Sequence, residues 1–145
     1  DTPMGRMIAG PLLTLGAVLT FGEVDGPSME PTYESGDVVV VNRFPALTGG
    51  LMPGSVVILD RPDNPYIKRV MGVGGDRVQV GPRGVKRNGE MADEDYTHKA
   101  AVREHDPCTV PPDWLYVVGD NRPVSVDSRR WGPVKGEEVH GAVVD

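Results

Sequence analysis

The sequence predicts a mainly β protein, an antiparallel-sheet core with a small inserted cap, and three observations carry that expectation. Turn formers are abundant, with 19 Gly and 14 Pro, while 2 Phe and 2 Trp leave little aromatic bulk for long helices. One local device recurs, a glycine-bearing turn before a short β-branched run: Ser35-Gly36-Asp37 before Val38 to Val41, Pro53-Gly54-Ser55 before Val56 to Leu59, and Gly74-Gly75-Asp76 before Arg77 to Val80. Finally, residues 81–112 (GPRGVKRNGEMADEDYTHKAAVREHDPCTVPP) are polar and show no strong period, as an insertion would.

Each element follows from its residues. Glycine permits the positive φ that such turns often need, and Val and Ile fit a pleated, half-buried surface. The repeated device predicts an antiparallel meander, joined by Trp114 to Val118 (WLYVV) and ended by a strand over Val139 to Val144. Turns are expected at Asn88-Gly89 and Pro111-Pro112. The chain divides into an apolar N-terminal segment over 1–23, a β-rich core over 24–80 and 113–145, and the cap over 81–112.

Within the first segment, Met7 to Phe21 (MIAGPLLTLGAVLTF) is uncharged and short of the roughly 20 residues a spanning helix needs. It is equally compatible with the remnant of a membrane anchor, a segment lying on a bilayer, or a buried element of the fold. No small-x-small site follows the run directly, so it does not resemble a cleavable leader. The first residue is Asp1 and not Met, as expected of a processed or partial chain.

A net charge of -6 and scattered basic residues argue against a nucleic-acid surface, which needs clustered Lys and Arg. The single cysteine, Cys108, allows no internal disulfide and is read as an ordinary packed residue. His98, His105 and His140 lack the spacing and company of a zinc site, so no metal or other cofactor is expected.

Three segments concentrate chemistry. In Gly26-Pro27-Ser28-Met29-Glu30-Pro31-Thr32 a serine between two prolines has a restricted backbone. That holds its hydroxyl in one direction and its N–H at a fixed point, useful for a nucleophile whose amide also stabilises an oxyanion. Taken alone, it reads first as a turn serine capping its neighbours. In Pro65-Tyr66-Ile67-Lys68-Arg69-Val70-Met71-Gly72, strand alternation puts Tyr66, Lys68 and Val70 on one face. A lysine among apolar side chains loses hydration, which lowers its pKa and frees an amine to accept a proton. The ordinary alternative is a lysine snorkelling from an edge strand. Third, Gly119 to Val134 (GDNRPVSVDSRRWGPV) gathers short polar side chains and an Asp127–Arg129 pair, enough to support a site or to form a solvated loop.

In this order, Ser-Met-x-Pro-Thr, Lys-Arg-Val-x-Gly-x-x-Gly-Asp and Gly-Asp-Asn-Arg-x-x-Ser-x-Asp-Ser-Arg-x-x-Gly-x-Val resemble the type I signal peptidases from about Val24 to Val144. The resemblance implies a β-rich catalytic core flanking a variable cap. It also implies a membrane-associated serine endopeptidase, on the outer face of the cell membrane, that cuts signal peptides with small residues near the cleavage site. Ser28 is then similar to the family nucleophile and Lys68 to its general base. Ser125 resembles the hydroxyl that orients the amine, Asp127 and Arg129 the supporting polar pair, and Met29 the methionine beside the dyad. The lipid surface and preprotein signal peptides are the implied partners. This sequence departs from the pattern at Gly74, where proline is usual, at Pro123 and Val124, which replace a polar pair, and at Gly26, where some members carry an oxyanion-donating serine. With glycine there, the oxyanion is expected to rest mainly on the Ser28 N–H.

Two rivals are open to the residues. A self-cleaving repressor of the LexA type uses the same Ser/Lys chemistry and cuts an Ala-Gly bond, and Ala9-Gly10 lies upstream of Ser28. No DNA-binding helix pair precedes it, however, and the third motif does not fit. The other rival is an inactive peptide-binding β module, against which every dyad and support position is present.

Overall fold

The computed structural model describes residues 6–8, 19–97 and 102–144. Its mainly β, antiparallel architecture is the one predicted. The strands are β1 (Arg6–Ile8), β2 (Leu19–Asp25), β3 (Val38–Asn42), β4 (Val56–Asp60), β5 (Pro65–Val73), β6 (Arg77–Gly81), β7 (Gly84–Arg87), β8 (Glu90–Met91), β9 (Cys108–Thr109), β10 (Trp114–Val118), β11 (Val134–Lys135) and β12 (Val139–Val143). Two short helices, α1 (Phe44–Thr48) and α2 (Ser128–Trp131), interrupt them.

The larger sheet has the order β1-β2-β3-β12-β4-β5-β10-β11, and a further pairing of Arg6 with Tyr66 closes its first six strands into a barrel. Hairpin pairing follows chain order for β2–β3 and β4–β5, but the expected simple meander does not hold. The last strand, β12, inserts between β3 and β4 and pairs with both. The chain from Asn42 to Val56 must therefore step across a strand, which turns the connection between them into a projecting tongue. The third recurrence of the turn-and-strand device, β6, also leaves the meander and enters a second sheet of order β8-β7-β6-β9.

Alternation within β5 decides what each part of the molecule receives. Ile67 enters a barrel cluster with Val24, Met29, Val39, Val41, Val56 and Ile58. Tyr66 and Val70 point to the opposite face, where Val57, Leu59, Leu115, Val117, Val134 and Val139 gather under Trp131. Met71, further along, joins Val78, Val80, Val85, Val110, Tyr116 and Val118 at the junction with the smaller sheet. One strand thus contributes to all three apolar clusters, and Lys68 lies in its middle.

The expected turn at Asn88-Gly89 is present, both residues having positive φ (53° and 86°) as a tight hairpin linking β7 to β8 requires. The other turn centres one residue later than expected, on Pro112 and Asp113, with the Trp114 N–H donating to the Pro111 carbonyl at 3.1 Å. Of the apolar run Met7 to Phe21, Met7 and Ile8 lie in β1 and Leu19 to Phe21 in β2, while residues 9–18 lie outside the described residues. Among the described residues no helix is long and apolar enough to cross a membrane.

Because Ile67 is fully buried between β4 and the barrel interior, Ile67→Ala removes contacts that the closed barrel cannot replace. It is expected to lower unfolding free energy by about 2–5 kcal/mol, read as a shift in the denaturant midpoint at unchanged slope.

Candidate active site

The site is assembled where β5, the Ser28 turn and the loop after β10 meet. The turn is built locally: the Glu30 N–H donates to the Pro27 carbonyl at 3.1 Å and the Tyr33 N–H to that of Met29 at 2.9 Å. Met29 anchors it, its side chain fully buried in the barrel cluster. The loop then grips the turn from the other side. Asn121 donates from its main-chain N–H to the Ser28 carbonyl at 2.8 Å, and from Nδ2 to the Pro27 carbonyl at 3.0 Å. Asp120 accepts from Thr32 Oγ1 at 2.6 Å, and its N–H points at Met29 Sδ at 3.5 Å.

Lys68 meets the same loop from β5, where it pairs with Val57 of β4. Its side chain is fully buried, and Nζ donates to Ser125 Oγ at 3.0 Å. Ser125 Oγ in turn donates to Asp127 Oδ2 at 2.7 Å, and that oxygen also accepts from the Gly119 N–H at 2.9 Å. Arg129 closes the chain with a two-pronged pair, Nε to Oδ1 and Nη2 to Oδ2, both at 2.8 Å. Asp127 additionally caps α2 by accepting from the Arg129 N–H. One buried carboxylate therefore orients a serine, a glycine amide, an arginine and a helix start.

Electrostatics follow from this arrangement. Burial raises the pKa of the Asp127 carboxyl, but the hydrogen bonds and charge of Arg129 outweigh that and hold it below its ordinary value. Burial is also the main influence on Lys68, lowering its pKa from 10.5 to about 8 against the attraction of Asp127 and with help from the Arg129 charge. Because Asp127 is ionised, the Ser125 proton is committed to it, so Ser125 can only accept from Lys68. Above about pH 8, where Lys68 sheds its proton, the amine still donates an N–H to Ser125 and carries a lone pair.

Ser28 is fully buried, and among the described residues its Oγ has no hydrogen-bond partner. An orphaned buried hydroxyl costs roughly 1–3 kcal/mol, so natural folds keep one only for a reason.

The structure thus brings Ser28, Met29, Lys68, Ser125, Asp127 and Arg129 to one locality around Gly119. Several further residues contribute that sequence reasoning did not single out. A Cβ at Gly119 would collide with the Ser125 side chain and come within 2.8 Å of the Ser28 carbonyl, so only glycine lets the two elements approach. Arg69 reaches Asp120 through Nε at 2.9 Å and Nη2 at 2.8 Å, and stacks on Tyr96 at 3.9 Å. Arg122 donates from Nε to the Gly119 carbonyl at 2.7 Å and pairs with Glu94, both side chains being buried. Glu94 also accepts from the Val85 N–H at 3.0 Å, so this pair ties the smaller sheet to the loop under Lys68. Gly119, Asp120, Asn121 and Arg122 lay inside a recognised motif; Glu94 carried no signal, because it sits among other acids in a polar stretch.

The departures also find a physical setting. At Gly74 a Cβ would lie 3.0 to 3.1 Å from the backbone of Pro112, Asp113 and Pro111, so this turn occupies the space a proline ring would need. The Gly26 N–H donates to Ser35 Oγ at 3.1 Å, which stabilises the entry to the Ser28 turn.

The chain is similar to known proteins over most of its length. The family profile of signal peptidase, peptidase S26, matches residues 5–144. A probable signal peptidase I-2 of Synechocystis is 32% identical over 93% of this chain and 67% of its own length. Signal peptidase IB of Staphylococcus aureus is 33% identical over 87% of this chain and 76% of its own. A crystal structure of a signal peptidase I from Enterococcus faecalis superposes with a TM-score of 0.55 at 26% identity, covering 65% of this chain and 97% of that one. The chain belongs to the signal peptidase family, peptidase S26, and is a serine endopeptidase.

Two outcomes test the site's physics. Glu94→Ala strands a buried guanidinium and is expected to cost about 3–5 kcal/mol of stability, whereas the double change Glu94→Leu with Arg122→Met recovers most of it, as measured by denaturation. Lys68 gives a pH signature. The unfolded chain holds its proton up to 10.5 and the folded one releases it near 8, so unfolding takes up a proton in that window and stability rises with pH across it. Lys68→Met is expected to flatten that rise in a series of thermal melts.

Proposed function

We propose that Ser28 attacks the scissile peptide carbonyl of a preprotein while neutral Lys68 accepts its proton, removing the signal peptide through an acyl-enzyme. The observation that carries this reading is the buried Ser28 hydroxyl, without a hydrogen-bond partner among the described residues, on a turn gripped by the same loop that holds the desolvated Lys68 amine. As the oxygen bonds to the carbonyl carbon, its proton passes to Nζ. The protonated amine then gives a proton to the leaving amide nitrogen as the C–N bond breaks. Water attacks the ester with Lys68 again as base, and the acyl chain departs as a carboxylic acid. Ser125 positions the amine, and Asp127 with Arg129 fixes Ser125. The Ser28 N–H supports the oxyanion, and Met29 holds the turn against the barrel.

Extended substrate would pair with an exposed strand edge and present small residues near the cut. The β strands of 24–80 and 113–145 form the catalytic core in this reading, and 81–112 a cap that braces it. The enzyme works at the outer face of the cell membrane, with the apolar segment over 1–23 holding it there.

Ser28→Ala and Lys68→Ala are each expected to reduce cleavage of a leader peptide by 10³-fold or more, on the order seen when a nucleophile or base is removed. For the wild type, kcat/KM should climb with pH through about 8, as the Lys68 amine loses its proton. Ordinary activity in Lys68→Ala, or a profile flat across that range, would overturn the assignment. A cut after Ala9 in the purified chain would instead favour self-processing.

A further inference from the structure

Against the loop that orients Lys68 lies a cleft of about 480 Å³, the size of a small-molecule site, and its lining is cationic. Arg122 reaches it from the loop, Arg129 and Arg130 from α2, and Arg103 and His105 from the end of the cap. The cap side is fixed in place. The His105 N–H donates to the Val80 carbonyl of β6 at 2.9 Å, and Gln79 Nε2 donates to Glu104 Oε1 at 3.0 Å, which keeps that carboxylate over Gly81. Basic residues are scattered in the sequence, yet the fold brings four of the fifteen Lys and Arg to one hollow, in a chain whose net charge is -6.

These cations differ from an ordinary solvated face in being left over. Arg122 is spent on Glu94 and the Gly119 carbonyl. Among the described residues Asp127 is the only carboxylate in the lining, and its oxygens already accept from Arg129, Ser125 and Gly119. Asp106 lines the adjoining hollow and not this one. Among the described residues Arg103 and Arg130 have no acidic partner, and Arg129 makes no hydrogen bond from Nη1. Burial, then the charges of Arg129 and Arg103, hold the His105 pKa below its ordinary value, against the pull of Asp127 and Asp106. The imidazole is therefore neutral at pH 7, and the charge of the cleft is that of its arginines.

Guanidinium groups match the geometry of oxyanions, and several converging on one cleft suit a ligand with more than one negative charge. We propose that this cleft binds a small polyvalent oxyanion of the phosphate class through Arg103, Arg129 and Arg130, and that the bound anion keeps the Lys68 amine protonated. Ser125, in the lining, is one hydrogen bond of 3.0 Å from Lys68 Nζ. The charges that act on Lys68 are those of Asp127 and Arg129, while its neighbour Arg69 is paired with Asp120. Arg129 disfavours the charged amine, so an anion that neutralises Arg129 removes that influence and adds an attraction of its own. The consequence for catalysis rests on Lys68 being the general base: an occupied cleft slows cleavage near neutral pH and leaves the high-pH rate almost unchanged.

The test is calorimetric titration of the whole chain with pyrophosphate at constant ionic strength. Saturable binding is expected at pH 7, and the double variant Arg103→Gln, Arg130→Gln, at two exposed positions that do not threaten folding, should bind about tenfold more weakly or worse. From pH 7 to pH 9 the wild-type affinity should fall about threefold further than that of Lys68→Met, because the amine loses its charge near 8 and the coupling between anion and proton is reciprocal. Saturating pyrophosphate should slow wild-type cleavage of a soluble leader peptide by the same factor of about three at pH 7 and hardly at all at pH 9.5. No saturable binding, equal affinity in the double variant, or the same pH dependence in wild type and Lys68→Met each overturns the proposal. Failure of the enzymatic reading is separately visible, as wild type inactive on the peptide, while the calorimetric comparison, which needs no turnover, still decides the cleft.

Discussion

The structure turns on one hydrogen-bonded line, from Arg129 through Asp127 and Ser125 to the Lys68 amine. A lysine in a dry site would ordinarily be a liability, because desolvation penalises its charge and flexibility scatters its position. Here the ionised Asp127 commits the Ser125 proton, Ser125 fixes the amine, and Arg129 keeps the carboxylate charged in spite of burial. Removing water alone would lower the lysine pKa without aiming its nitrogen. The line does both, and the loop bearing Ser125 and Asp127 also holds the Ser28 turn through Asn121.

The rest of the fold can be understood as support for that line. β5 supplies Lys68 while feeding three apolar clusters, so neither the barrel nor the smaller sheet can shift without disturbing it. Met29 fastens the serine turn from within the barrel, and the Arg122–Glu94 pair fastens the loop from the smaller sheet. The arrangement has a cost. Below pH 8 the folded protein carries an amine charge it disfavours, worth about 3 kcal/mol for a pKa displaced from 10.5 to about 8. The orphaned Ser28 hydroxyl adds another term of the same sign. Strain of this kind, concentrated at the two groups proposed to react, is the ordinary trade of stability for chemistry.

Likeness to the relatives extends across most of the chain. At Gly74 a Cβ would meet the backbone of the Pro111 to Asp113 turn at 3.0 to 3.1 Å, so the absence of a side chain lets that turn close in. The tongue owes its shape to topology: β12 separates β3 from β4, so their connection must project instead of turning tightly.

Local regularities made part of this legible from the sequence. Period-two alternation of β-branched residues, punctuated by glycine turns, determined most strands and the mainly β class, since those preferences act between neighbours in the chain. Motif order marks Ser28, Lys68, Ser125, Asp127 and Arg129 in the sequence itself. Strand order, barrel closure through Arg6 and Tyr66, and the Glu94–Arg122 pair were decided only by tertiary structure. The reason is physical: each joins segments far apart in sequence, and nothing in a residue's immediate neighbours records which distant surface will bury it.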